Sequence, residues 1–260
     1  MTRKKVGLAL SGGGARGFAH AGVLKVLVEN DIPIDMIAGT SAGSIVGGAF
    51  AAGMSVDEIL AMAPKVGYST IMLPSVAIGG MFTNAPMGRF LTEHFPVARF
   101  EDLKLPFASV AYELATGEVV IGKDNGDLIT AIRASCAVPG VFVPVLDEKG
   151  RVLIDGGVVS PLPVETVRQM GADVVIGVDL MACGASFRND PRTSVGILIR
   201  SALALLKVAA AHEAERADLV IEPAIAHLRP DQLGKRDEFI QLGEEAAQKR
   251  MDEIKRLIDV

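Results

Sequence analysis

The sequence is poor in cysteine. It has two, Cys136 and Cys183, and their separation is not that of metal ligands. In a chain of this size they read as reduced, buried thiols, so a cytoplasmic location is expected. A surplus of positive charge is also missing. The formal net charge is −5 at pH 7, so no basic face argues for nucleic acid as a partner. Long apolar runs are absent too. The basic start, Met1 to Lys5, imitates the opening of a secretory leader, but the run behind it, Val6 to Leu10, is short and ends in glycines. The longest candidate for a membrane span, Val195 to Ala211, is interrupted by Arg200 and Lys207. There remain 260 residues, half of them hydrophobic, enough to bury a substantial core. With no internal repeat and no linker, one domain over 1–260 is expected, with a motif-bearing core near 6–180 and a C-terminal helical segment near 194–260.

The stretch that carries chemistry is Ala38-Gly39-Thr40-Ser41-Ala42-Gly43. An apolar run, Ile32 to Ile37, predicts a strand before it, and the small, apolar Ser44 to Gly53 predicts a helix after it. Strand, Gly-x-Ser-x-Gly and helix together make a nucleophile elbow. A serine on so tight a turn sits at strained backbone angles. Gly39 and Gly43, two positions either side, keep strand and helix from colliding. The helix also directs free N–H groups toward Ser41, which favours negative charge there.

A second glycine loop, Ser11-Gly12-Gly13-Gly14-Ala15-Arg16-Gly17, follows a first strand over Lys5 to Leu10. The helix behind it carries Ala21, Leu24 and Val28 on one face. The unit is βαβ, so its strands should be parallel and both loops should lie at one edge of an α/β sheet, where ligands bind. Gly12-x-Gly14-x-x-Gly17 matches the dinucleotide fingerprint, but the second strand ends in Gly39-Thr40-Ser41 and not in the acidic residue that holds a ribose. Consecutive glycine amides beside a helix N-terminus form an anion nest, which in acyl transfer holds an oxyanion.

Farther on, Ser55-x-x-Glu58 predicts a capped helix to Ala63. Pro64 to Phe95 is rich in Met, Gly and Pro; it reads as a core-covering segment, with a mobile lid or acyl-chain wall as the rival. Phe107 to Leu114 and Glu118 to Gly122 form a hairpin over Thr116-Gly117, and Asp127 to Cys136 a helix. Strands are expected at Val141 to Leu146, Arg151 to Ile154, Val174 to Leu180 and Leu219 to Ile221, with a helix opened by Pro161 and Pro163 and a polar loop over Gly184 to Arg192. Val195, Leu198, Ala202, Leu205 and Ala209 form a helical stripe. Ile240, Ala247, Met251, Ile254 and Ile258 mark an amphipathic last helix whose mixed charges favour packing on the protein over a membrane.

A serine nucleophile needs a base. His212 and His227 come late enough for the triad order of α/β-hydrolases, but that fold places more strands ahead of its elbow, and both residues sit in polar surroundings. The alternative is Asp155. It ends a strand, Gly156 and Gly157 follow it, and a buried carboxylate facing a serine can take its proton.

Taken together, Gly12-Gly13-Gly14-Ala15-Arg16-Gly17, Gly39-Thr40-Ser41-Ala42-Gly43 and Asp155-Gly156-Gly157 resemble the signature of patatin-like phospholipases, in the short bacterial branch related to neuropathy target esterase. The likeness runs from Val6 to about Asp179 and includes Arg133-Ala134-Ser135-Cys136-Ala137-Val138-Pro139 with Phe142 and Pro144. Ser11 stands where the family often has aspartate. The resemblance implies a three-layer α/β/α fold with a mainly parallel sheet. It implies a Ser41–Asp155 dyad, an oxyanion hole around Gly13 and Gly14 with Gly12 and Arg16, no metal and no cofactor. The substrate implied is a lipid acyl ester, met at most by transient contact with a membrane surface. Two rivals stand beside it: an acyltransferase of related fold, and a nucleotide-binding or regulatory module built on the glycine loop.

Overall fold

The computed structural model describes residues 3–77, 79–184 and 192–258, apart from the side chains of Val195 and Ile199. Ile78, most of the loop expected at Gly184 to Arg192, and the Val195 member of the stripe therefore lie outside the described residues. The strands are β1 (Val6–Leu10), β2 (Met36–Thr40), β3 (Leu73–Pro74), β4 (Gly80–Thr83), β5 (Phe107–Glu113), β6 (Val119–Gly122), β7 (Gly140–Phe142), β8 (Val145–Leu146), β9 (Val152–Asp155), β10 (Val174–Val178) and β11 (Leu219–Ile221). The helices are α1 (Phe18–Glu29), α2 (Ala42–Ala51), α3 (Val56–Met62), α4 (Tyr68–Ile71), α5 (Ala85–His94), α6 (Leu128–Ser135), α7 (Val164–Gln169), α8 (Ser194–Ala214) and α9 (Arg236–Ile258).

The fold is a mixed α/β one. Among the described residues, an eight-stranded sheet runs β11-β10-β1-β2-β5-β9-β8, with β6 also on β5. From β11 to β5 all neighbours are parallel; β6, β9 and β8 are antiparallel. Every residue of β1, β2 and β10 is buried, as expected of parallel strands covered on both faces. Val6, Leu8 and Leu10 point into a core shared with α1, α2, α6 and α9. Ala9, Ala38 and Ala108 meet Val164 and Val167 of α7 and the inner side of α8 across the other face. The result is three layers, with α9 laid along α1.

Three boundaries differ from expectation. β2 begins at Met36 and not at Ile32, because Pro33 has no amide to donate and the Asp35 carboxylate is spent on the Val6 amide at 2.7 Å. The strand expected over Val141 to Leu146 is broken at Val143-Pro144; Phe142 pairs with Phe82 in a small second sheet, while Val145 joins the main one. The Pro64 to Phe95 segment divides. Met87, Phe90, Leu91 and Phe95 cover the core, but Tyr68, Leu73, Val76 and Met81 are exposed.

Register decides where the site forms. Thr40 lies opposite Val110 on β5, and Asp155 lies opposite Ala111 on the far side of the same strand. Ser41, one residue past Thr40, is therefore level with Asp155 across β5.

Candidate active site

Ser41 caps the N-terminus of α2 with φ 52° and ψ −123°, a region that an L residue enters only under constraint. Packing supplies the constraint. A Cβ on Gly39 would stand 2.5 Å from the Gly43 carbonyl carbon, and one on Gly43 2.2 Å from the Leu10 oxygen. Hydrogen bonds complete it. The Ser41 amide donates to Ser135 Oγ at 2.8 Å, and the Ser41 carbonyl accepts from the Ser44 amide at 2.9 Å and Ser44 Oγ at 2.6 Å. Ser135 and Ser44 are fully buried. Neither has a sequence signal that predicts its role, beyond Ser135 belonging to the segment that carries the family likeness.

Asp155 is buried, and its Oδ1 accepts the Gly157 amide at 2.7 Å. Burial raises its pKa to about 6; the hydrogen bond from the Ser41 side chain and that from Gly157 pull it partly back. Its amide donates to Ala137 O at 3.0 Å, which ties the Asp155 corner to the segment holding Ser135. Cys136 lies in the same corner with Sγ 3.9 Å from Ser44 Oγ. Burial, then the Asp155 charge, push its thiol far up, so it stays protonated.

The glycine loop lies against Ser41: a Cβ on Gly12 would be 3.3 Å from the Ser41 Cβ. Its amides do not all serve alike. Gly12 N donates to Pro161 O at 3.0 Å and Arg16 N to Gly13 O at 3.2 Å. The Arg16 guanidinium is buried and donates to the carbonyls of Leu228 (2.7 Å from Nη2), Leu180 (3.1 Å) and Gly184 (2.7 Å). Among the described residues, only Gly13 and Gly14 of the four expected positions keep an amide with no protein acceptor. Gly12 and Arg16 are thus anchors of the loop and not open donors, a correction to the wider set read from sequence. His20 is fully buried with Nε2 2.8 Å from Ser11 O. A carbonyl only accepts, so Nε2 carries the hydrogen; burial lowers the pKa to about 4 and the ring is neutral.

The histidines weighed as bases stand elsewhere. His212 is exposed beside Arg216, and His227 meets Glu238 at 3.0 Å. What sequence reading missed is Glu213 of α8. Its carboxylate accepts Ser160 Oγ at 2.6 Å and Leu162 N at 2.8 Å. The short run between them also takes Thr40 Oγ1 at Ser160 O (2.8 Å) and Gly12 N at Pro161 O (3.0 Å). Elbow, glycine loop and the turn after Asp155 are therefore hung on one segment that Glu213 clamps. Burial raises Glu213 to about 7 against the lowering by Ser160, Leu162 and Arg216.

A family model described as patatin-like phospholipase matches residues 8–168. The chain belongs to the patatin-like phospholipase family. Curated relatives of this family member include an uncharacterized NTE family protein of Mycobacterium tuberculosis, 37% identical over 80% of this chain and 59% of that protein. Patatin-like phospholipase domain-containing protein 6 of Homo sapiens is 36% identical over 69% of this chain and 14% of that protein. The chain thus spans about three fifths of the length of the mycobacterial relatives and a small part of the mammalian ones. The fold is similar to that of VipD from Legionella pneumophila, with TM-score 0.52, 14% identity, and 97% of this chain and 67% of that chain covered. It is also similar to that in the ExoU–SpcU complex of Pseudomonas aeruginosa, with TM-score 0.52, 17% identity, and 99% and 52% covered. Among the described residues, no helix of this patatin-like protein is long and apolar enough to cross a membrane.

Proposed function

We propose that the protein is a serine lipid acyl hydrolase acting on a phospholipid or lysophospholipid ester through a Ser41–Asp155 dyad, with residues 1–260 working as one catalytic domain. One observation carries the reading. A strained, nearly buried serine shares a corner with a buried carboxyl held near pKa 6, and the glycine loop packs against that serine through Gly12.

In this reading Ser41 Oγ attacks the ester carbonyl carbon while Asp155 takes its proton. The carbonyl π pair moves to oxygen, and the Gly13 and Gly14 amides hold the oxyanion. The tetrahedral centre collapses, the C–O bond to the alcohol breaks, and Asp155 returns the proton to that oxygen. Water then attacks the acyl-serine carbonyl with Asp155 again as base; the acyl C–Oγ bond breaks, Asp155 returns the proton to Ser41 Oγ, and the fatty acid leaves. A pKa near 6 leaves the carboxyl ionised at neutral pH, and its burial keeps it more basic than a carboxylate in water. Cys136, protonated and apolar, keeps a competing charge out of the corner.

A fluorophosphonate probe should label the protein once, at Ser41, and Ser41→Ala should abolish both labelling and hydrolysis of lysophospholipid. Hydrolysis by Ser41→Ala protein at the parent rate would overturn the reading. Product analysis with a competing alcohol present separates hydrolysis from acyl transfer.

A further inference from the structure

His20 takes no part in the proton transfers assigned above, yet it is fully buried and only half paired. Its Nδ1 lies out of water with no hydrogen-bond partner among the described residues. Burying an unmatched acceptor is unfavourable, and an aliphatic side chain would fill the same space without that cost. What the ring gains is confined to its other nitrogen. Nε2 donates to Ser11 O at 2.8 Å, and that carbonyl stands between two parts of the site. It opens the glycine loop, and it packs on the elbow, where a Cβ on Gly43 would stand 2.8 Å from it.

The contact is stiff on both sides. His20 sits in the first turn of α1, and α1 meets α9 backbone to backbone. A Cβ on Gly243 would be 2.1 Å from Ala19 O, and one on Gly22 2.1 Å from Ile240 O. On the loop side, Ser11 N donates to Val178 O at 3.1 Å and Gly12 N to Pro161 O at 3.0 Å. Ser11 Oγ accepts the Leu180 amide at 2.9 Å. With Ser11 O on His20, each backbone polar group from Ser11 N to Gly12 N has a partner. Just beyond, Gly14 turns at φ 59°, and the Gly13 and Gly14 amides have no protein acceptor among the described residues. A peptide unit is planar, so tilting the Ser11–Gly12 plane swings the amides that follow it.

We infer that His20 is a positioning residue: its Nε2–H fixes the Ser11–Gly12 peptide plane and so aims the Gly13 and Gly14 amides at the oxyanion. The role rests on the proposed acyl-serine chemistry. Donors aimed in advance at a developing negative charge are worth most when they cannot reorient, and a rigid helix bearing a neutral N–H donor supplies that stiffness without adding a charge to the corner.

Glutamine and methionine at position 20 test this. Both lack the ring and match each other in length and shape, but only glutamine can donate to Ser11 O. His20→Gln should keep kcat for lysophospholipid within about threefold of the parent. His20→Met should lose about 10–100-fold in kcat, with KM within about twofold. A fatty acyl trifluoromethyl ketone, which adds to a serine as an oxyanion, should bind His20→Met more weakly by the factor lost in kcat/KM. Each variant leaves one buried acceptor unmatched, so their melting temperatures should agree within about 5 °C. Equal kcat in the two variants overturns the inference, as does a loss confined to KM. A wider gap in melting temperature, or failure of both variants to fold, overturns it too, because the ring then serves packing alone. Parent protein that takes no fluorophosphonate at Ser41 overturns the catalytic reading and this role with it. A labelled parent with two equally active variants overturns the role alone.

Discussion

Asp155→Asn should make this protein more stable and inactive at once. The carboxyl is buried, and burial pushes its pKa up to about 6 from an ordinary 3.8. A group whose folded pKa is raised holds its proton more tightly in the native state, so its stabilising contribution is complete below the unfolded pKa. That contribution is lost as pH rises through the folded one. Between about pH 4 and 6 the slope of unfolding free energy with pH is therefore negative for this residue, and above pH 6 it is flat. A rise from 3.8 to about 6 corresponds to about 3 kcal/mol. Asparagine imitates the neutral form, and its Oδ1 can still accept the Gly157 amide. At pH 8 the variant should resist urea by about 1–3 kcal/mol more than the parent, and at pH 4 the gain should shrink toward zero. Turnover should fall by at least about 10³, because the proposed base is gone. Urea unfolding at both pH values, paired with lysophospholipid hydrolysis, checks the two halves together. A variant less stable than the parent at pH 8, or one that keeps most of its turnover, refutes the reasoning.

Further outcomes follow from the same geometry. Ser41→Gly should be more stable than Ser41→Ala by about 1 kcal/mol, because glycine carries φ 52° without strain; equal urea midpoints would show that the backbone stores nothing there. Ser135→Ala removes the acceptor for the Ser41 amide, so kcat should drop about 10–100-fold and stability by about 1–2 kcal/mol, while a Ser135→Ala enzyme with parental kcat would free the elbow from that tether. Glu213 titrates near 7, and its ionised form accepts two donors. Parent kcat/KM should therefore show an inflection near pH 7, falling on the acid side, which Glu213→Gln removes while costing about 3–10-fold at pH 8; an unchanged pH profile counts against the clamp.

Much of the elbow could be read from residues alone, because its demands are local. Gly39 and Gly43 stand two positions either side of Ser41 for a steric reason that any strand-turn-helix corner imposes. The capping box at Ser55 and Glu58 formed as spelled, since both partners lie in one turn. The glycine loop was legible as the elbow's neighbour but not in detail. Which amides stay open depends on Pro161, 149 positions after Gly12 by numbering (161 − 12), and on the carbonyls that receive Arg16. Glu213 gave no sign at all. A charged residue near a helix end reads as solvated until the helix is laid on Ser160.

The sequence by itself determined the family, the parallel β1–α1–β2 unit, and the three glycine-marked corners, since turn sterics and hydrophobic periodicity are properties of neighbours along the chain. Tertiary structure alone decided that β9 runs antiparallel beside β5. That register sets Asp155 level with Ser41, and burial in the resulting corner raises the carboxyl pKa. Tertiary structure likewise turned the α8 stripe outward, because which side of a helix meets the core depends on what the sheet already offers it.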